Sequence, residues 1–363
     1  MARQQKADKV LFGAVIILVL FGIIMVFSAS AVIASERYGT STYYLARQGM
    51  YAVLGLTLMV IMMNVDYRRL ANPLVIFPAL ALQFLMLFVA LLWSPSHHTH
   101  RWLYIGPVGF QPSELSKIVI IVFLAYFLSM RKGEISNWKR TLLPIGLVVG
   151  IAAVLILREP DFGTTLALAM VVAAMLFAAG LPLVYYGFGL LAATPVIFLL
   201  IFRSGYRLKR VLAFLNPYAD PLGAGFQILQ SYIAVGTGGI SGVGLMEGKQ
   251  KLFFLPEPQT DFIFAVISEE LGFIGAIAVL VLFGVILWRG LRAAARCSDD
   301  FGRLLAIGLT VMVVGQALVN ISVVIGLLPT KGIPLPLVSY GGSSLVMTLL
   351  AIGILLNISQ NAS

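Results

Sequence analysis

Asp261 is the residue whose type and setting most suggest chemistry. It is a lone carboxylate at the point where a polar, proline-bearing approach (Pro256, Glu257, Pro258, Gln259, Thr260) gives way to a long apolar run. A carboxylate there either caps a helix N-terminus or acts as a base, and the local sequence leaves both open, since Thr260 would cap equally well. Glu269 and Glu270 lie two turns deeper in the same run. Ionisable groups inside a membrane span cost roughly 2.5–3.5 kcal/mol each on insertion scales and usually mark function. Helical spacing puts Glu269 nearer the Asp261 face than Glu270, so Glu269 is expected to line the same polar cavity.

Further candidates surround this stretch. Glu114 and Lys117 form an i, i+3 pair, which reads either as an ion pair that makes a buried Lys tolerable or as a Lys presented to phosphate with Glu114 orienting it. Arg203, Arg207, Lys209, Arg210, Lys249 and Lys251 all fall in one hydrophilic segment of 58 residues, Arg203 to Thr260. Anionic headgroups would attract such a segment, and so would a pyrophosphate. Its nine glycines between Gly205 and Gly248 suggest backbone brought close to a ligand or a sharply folded loop. Phe226–Val235 is patterned as a short interfacial helix. Glu159-Pro160-Asp161-Phe162 echoes Glu257-Pro258 and Asp261-Phe262, and Gln111-Pro112-Ser113-Glu114 is a third helix start of this kind. Helix N-termini gathered on one face favour anions. His97, His98 and His100 lack metal-ligand spacing and read as a solvated loop. Ser339-Tyr340-Gly341-Gly342-Ser343-Ser344 has no Lys-Ser/Thr after its glycines, so it is a tight turn and not a P-loop.

These residues need elements to hold them, and composition says which. The chain has 363 residues, 60% hydrophobic and 11% charged, with mean hydropathy +0.98. That is an all-α polytopic membrane protein, because each span must satisfy its own backbone groups. Ten spans are expected: Val10–Ala31, Gln48–Asn64, Pro73–Trp93, Pro112–Met130, Leu142–Leu157, a sixth to Gly180, a seventh to Phe202, Asp261–Trp288, a ninth to about Leu327 and a tenth from Ser344 to about Asn357. The first lacks a small-residue cleavage site and reads as a retained span. Loops on the terminal side hold 13 Lys and Arg, and short loops on the other side hold five: Arg37, Arg47, Arg101, Arg158 and Lys331. Both termini are therefore placed in the cytoplasm, with the 203–260 loop outside between spans seven and eight. The lone Cys297 excludes an internal disulfide.

HRWLYIGPVGFQPSELSK, PDFGTT, NPYADPLGAGFQILQS, LPEPQTDFIFAVISEELG and LLPTKGIPLPLVSYGGSSL together resemble the SEDS family (shape, elongation, division, sporulation) of bacterial cell-wall polymerases. Motifs fall in order from the first span to the last. Pro329-Thr330-Lys331-Gly332 and the ending GILLNIS look closer to the division branch, FtsW, than to the elongation branch, RodA. The resemblance implies one ten-helix domain, 1–363, with peptidoglycan glycosyltransferase activity on the outer face of the inner membrane, at the division septum for that branch. It implies lipid II, a disaccharide-pentapeptide on undecaprenyl pyrophosphate, as substrate. A class B penicillin-binding protein transpeptidase and other divisome membrane proteins would be partners, with no nucleic acid. Asp261 matches the family's essential aspartate, while Arg101, Glu114, Lys117, Asp161, Ser339 and Tyr340 fall on its recurrent motif positions. Two departures stand out: Gln259 where His is common, and Arg158-Glu159 where a neutral Gln usually precedes Pro-Asp-Phe-Gly.

On that basis Asp261 is expected to take the proton from the attacking sugar hydroxyl. Arg101, Lys117, Arg207, Arg210, Lys249 and Lys251 would answer the pyrophosphate charge, and Asp161 would orient a donor sugar or hold a divalent cation. Mg or Mn is the one cofactor this chemistry leaves open. Two other classes compete. A lipid II flippase suits ten spans with intramembrane acids, but it would want charged groups near the midplane and on both faces. A scaffold for a crosslinking partner would have no need of Asp261.

Overall fold

The computed structural model describes residues 7–92, 101–105, 108–330 and 332–361. His97, His98, His100 and Lys331 lie outside the described residues. The chain order is α1 (Lys9–Tyr38), α2 (Tyr43–Asn64), α3 (Pro73–Leu92), β1 (Leu103–Ile105), β2 (Val108–Phe110), α4 (Pro112–Ser129), α5 (Leu143–Arg158), α6 (Phe162–Ala179) and α7 (Leu183–Phe202). Then come α8 (Gly205–Leu215), α9 (Phe226–Gly238), α10 (Ile263–Arg296), α11 (Asp300–Val324) and α12 (Gly342–Asn361). A helix sits at each of the ten expected spans. Nine of these, among the described residues, are long and apolar enough to cross a membrane; α7 is represented by the shorter apolar stretch Leu183–Pro195.

Local chemistry sets the helix ends. Asp8 caps α1 by accepting from the N–H groups of Val10 and Leu11, and Gly39 stops it with φ 72°. Pro112 opens α4 where its missing N–H costs nothing. Asp299 caps α11 through Gly302 N–H. Buried residues dominate α4, α11 and α12, while Leu74, Phe88, Leu147, Val154, Leu183 and Leu191 of α3, α5 and α7 stay exposed. Exposed aliphatics of this kind face lipid at no cost in hydrophobic energy. Small residues let the inner helices approach: a Cβ on Gly353 would lie 2.5 Å from Met59 O, and one on Gly290 2.1 Å from the Thr310 hydroxyl.

The structure departs from expectation in three places. The fold is not purely helical, because β1 and β2 form a small antiparallel hairpin before α4. The hairpin is tied to the start of α12, where the Ser343 hydroxyl donates to Gly109 O and accepts from Gln111 N–H. The 203–260 segment holds a second helix, α8, besides the short one expected at Phe226–Val235, which is α9. The eighth span is also broken. Gly272 takes φ 64° and ψ −161°, so Ile263–Leu271 is a separate, wholly or largely buried piece set before a long membrane helix.

The break frees backbone groups, and the glycine-rich loop after α9 takes them up. Val243 and Gly244 N–H donate to the carbonyls of Glu269 and Glu270, and Phe273 and Ile274 N–H donate to Gly239 and Ile240. Close approach explains the glycines: a Cβ on Gly238 would sit 1.8 Å from Ser268 O, and one on Gly242 2.1 Å from Glu270 O. Gly272→Ala meets both a left-handed φ and an atom 2.3 Å away, at Gly242 N. It should cost roughly 3 kcal/mol, read as a clear drop in unfolding temperature in detergent. Gly284→Ala, which meets nothing within 4 Å, should leave that temperature nearly unchanged.

Candidate active site

Three successive carbonyls lead into α10, and each is held from elsewhere in the molecule. Tyr340 N–H donates to Gln259 O at 2.8 Å. The Ser339 hydroxyl donates to Thr260 O at 2.6 Å, and the Asn320 amide donates to Asp261 O at 2.8 Å. Ser339 is itself fixed, its hydroxyl accepting from Leu335 N–H and its carbonyl from the Gln48 amide. The backbone around Asp261 is pinned, yet no hydrogen bond from the described residues reaches its carboxylate. The N-cap of α10 is Phe262, without a side-chain cap, so the capping alternative for Asp261 does not hold.

Space and charge around that carboxylate are specific. A Cβ on Gly332 would lie 3.3 Å from Asp261 Oδ2, so the facing loop runs close against the carboxylate and a side chain there would be a tight fit. Burial pushes the Asp261 carboxyl up to about 6, and the nearby Glu257 charge adds to the rise. Arg210 and Arg101 oppose it. The flanking loops carry positive φ at Phe253, Glu257 and Leu337, and non-glycine strain of this sort tends to collect at functional loops.

The other candidates fall into distinct settings. Arg101 spends part of its guanidinium on the C-terminal end of α5, donating to the carbonyls of Glu159 and Pro160. Arg210 donates to Thr330 O at 3.3 Å, and Arg207 lies partly exposed on the same helix, α8. Asp161 caps α6: its carboxylate accepts from Thr164 N–H, the Thr164 hydroxyl and the Gln111 amide. Tyr340 packs edge-on against Tyr44 at 4.9 Å beside Arg47. Glu114 and Lys117 are a buried ion pair at 2.9 Å, each about 4% exposed.

The intramembrane acids turn out to serve the loop. Glu269 accepts from the N–H groups of Lys249 and Gln250 at 2.8 and 3.2 Å, so its carboxylate is engaged by backbone instead of lining the cavity expected from helical spacing. Glu270 takes a 2.6 Å ion pair from buried Lys251, a hydrogen bond from the Ser28 hydroxyl of α1 and another from Met246 N–H. Lys251 thus belongs to an internal cluster, whereas Lys249 projects its side chain into the open. Both acids lie on the short helical piece before Gly272, and the 246–251 loop packed against that piece is what engages them. Three residues of the site had no role in the sequence argument: Gln48, Gln316 and Asn320. Gln316 and Asn320 were the findable ones, as i, i+4 amides inside an otherwise apolar span.

Residues 8–363 match the family model described as "Cell cycle protein", that of FtsW, RodA and SpoVE. The chain belongs to the FtsW/RodA/SpoVE family. A protein of Geobacter sp. (strain M18) named "Probable peptidoglycan glycosyltransferase FtsW" is 42% identical over 363 residues, 99% of this chain and 98% of the relative. Stage V sporulation protein E of Bacillus subtilis is 41% identical over 99% and 98%. Among solved structures, a chain described under "Structural coordination of polymerization and crosslinking by a peptidoglycan synthase complex" superposes with TM-score 0.81 at 32% identity, covering 98% of each chain. The Thermus thermophilus rod shape determining protein RodA gives TM-score 0.72 at 28% identity, covering 98% of this chain and 97% of RodA. This family member is thus a multi-pass membrane protein.

Within that family frame Glu159 remains unusual. It is 0% exposed, and neither carboxylate oxygen has a hydrogen-bond partner among the described residues. Burial, then the Asp161 charge, pushes it up to about 8, against the pull of Arg101. The fold therefore holds the protonated form. Stability tied to that form is fully present at acid pH and is lost as pH rises toward and through about 8. Glu159→Gln should raise the unfolding temperature by an amount that grows from about pH 5 to about pH 8 and then levels off. A gain that ignores pH, or none, would contradict the buried neutral acid.

Proposed function

We propose that this chain is the peptidoglycan glycosyltransferase that polymerises lipid II at the outer face of the bacterial inner membrane, in the wall laid down at the division septum. Asp261 carries the proposal. A partly buried carboxylate with a raised pKa sits on pinned backbone, without a hydrogen bond from the described residues, with Arg101 and Arg210 close enough to act on it electrostatically. A general base needs this combination: a fixed position, an open lone pair and a pKa near working pH.

The reaction joins a GlcNAc 4-hydroxyl to a MurNAc anomeric carbon. Asp261 accepts the hydroxyl proton as the new C–O bond forms, and the bond to undecaprenyl pyrophosphate breaks with inversion, its electron pair leaving on the phosphate oxygen. Arg101, Arg207, Arg210 and Lys249 are the cations we assign to that developing charge. Lys117 and Lys251 are not assigned to it, because their ammonium groups are spent on Glu114 and Glu270. Ser339 and Tyr340 hold the Asp261 segment through its backbone. Among the described residues no three of His, Cys, Asp and Glu converge, and no step here runs through a metal; a Mg or Mn ion would enter with the pyrophosphate, as such ions commonly do.

The peptidoglycan synthase complex matched by the fold couples polymerization to crosslinking. By extension we assign this chain a class B penicillin-binding protein as partner and place the pair among other divisome membrane proteins, acting through a single domain, 1–363. An elongation-type role is the nearest alternative, given the RodA likeness. A flippase fits less well. Glu269 and Glu270, the acids a transport path would use, are buried and engaged by Lys251, Ser28 and loop backbone.

Purified protein with lipid II in detergent should yield glycan polymer on a gel, alone or with its transpeptidase partner, and detergent removes flipping as an explanation. Asp261→Asn should lower the rate by about 10²–10⁴ while the protein remains folded. The parent rate should fall as pH drops through about 6, where Asp261 gains its proton. Full polymerase activity in Asp261→Asn would end the base assignment.

A further inference from the structure

Lys117 looked like a phosphate ligand in the sequence, but its three ammonium N–H groups already meet three acceptors. These are both carboxylate oxygens of Glu114, at 3.0 and 2.9 Å, and Gln316 Oε1 at 2.9 Å. An ammonium so placed dictates how the Gln316 amide lies: its oxygen faces Lys117, so its nitrogen faces the other way and donates to Pro334 O at 3.3 Å. One turn along α11, on the same face, Asn320 donates both amide protons, to Ile333 O at 2.7 Å and to Asp261 O at 2.8 Å. Asn320 Oδ1 is buried without a partner among the described residues, so these two carbonyls are what orient the side chain.

We propose that Glu114, Lys117, Gln316 and Asn320 form a ladder of positioning residues that sets the main chain of Asp261 against the 333–334 loop, and that Lys117 does not bind substrate phosphate. The inference rests on the assignment of Asp261 as base. Its physical logic is distance: misplacing a reacting group by about 1 Å can cost about 10²-fold in rate. The ladder acts on placement of the base, so it should govern turnover and leave substrate affinity alone.

Steady-state polymerisation by the purified full-length protein in detergent tests this, with Asp261→Asn run alongside. Lys117→Met, Gln316→Met and Asn320→Leu should each lower kcat about 10- to 100-fold with KM for lipid II within about twofold. The double variant K117M/N320L should be little slower than the slower single variant, since both act on one element. A raised KM with kcat preserved in Lys117→Met would make it a phosphate ligand and overturn the ladder. Parental kcat in Asn320→Leu, or multiplicative losses in the double variant, would do the same. If none of these variants folds, the network is general scaffold and the proposal fails. An active Asp261→Asn would instead remove the base assignment and leave the kcat-against-KM pattern to report on the ladder separately.

Discussion

Backbone that leaves a helix inside a membrane must find its hydrogen bonds within the protein, because lipid offers none. Two stretches of this chain do so, and the rest of the outer half is arranged to satisfy them. One is the break at Gly272, whose freed carbonyls and N–H groups are met by 239–244. The other is the extended run 259–261, whose carbonyls are met by Asn320, Ser339 and Tyr340. Each stretch would be prohibitively costly alone, at several kcal/mol per unsatisfied group. Paired with a complementary loop, each becomes a pinned piece of non-helical structure next to a helix long and apolar enough to cross a membrane.

Saturation of this kind isolates what is left over. Around Asp261 nearly every polar group is already engaged: Ser339 twice through its hydroxyl, Asp161 three times, Lys117 by three acceptors. Among the described residues the Asp261 carboxylate stands apart from this pattern, with the Gly332 loop close beside it. A reactive group in a fold is recognised as much by the contacts it lacks as by those around it. The same contrast explains why neighbouring charged residues that look equally suggestive in the sequence have different work. Lys251 is buried and paired, while Lys249, two positions earlier, extends its side chain outward.

The helices were legible because hydrophobic length is a strong signal, and Asp261 was legible because a lone acid at a polar-to-apolar boundary is rare. Its freedom from capping was not, since Thr260, Asp261 and Phe262 are the three residues just before the helix start and only the geometry separates them. Glu269 and Glu270 were read on a wheel that began at Asp261, whereas the helix begins at Ile263 and the 246–251 loop takes up both carboxylates. The glycine-rich loop was correctly seen as a place of close approach, yet the partner it approaches is the chain itself. Asn320 and Gln316 escaped notice because an amide carries no charge to draw attention. Their significance comes from contacts with residues far away in sequence, which no local pattern encodes.

The cluster of Ser28, Lys251 and Glu270 also bears on how the molecule is made. Ser28 of the first helix meets Glu270 across 242 residues, and the Tyr67 N–H meets Asn357 across 290. Spans that leave the ribosome first therefore wait for nearly the whole chain before their native partners arrive, in a topology of high contact order. During that interval the early helices sit in the bilayer with polar faces unfilled, available to wrong neighbours or to the insertion machinery that shelters them. Final locking comes only with the last helix, so a chain shortened at its end loses its beginning as well.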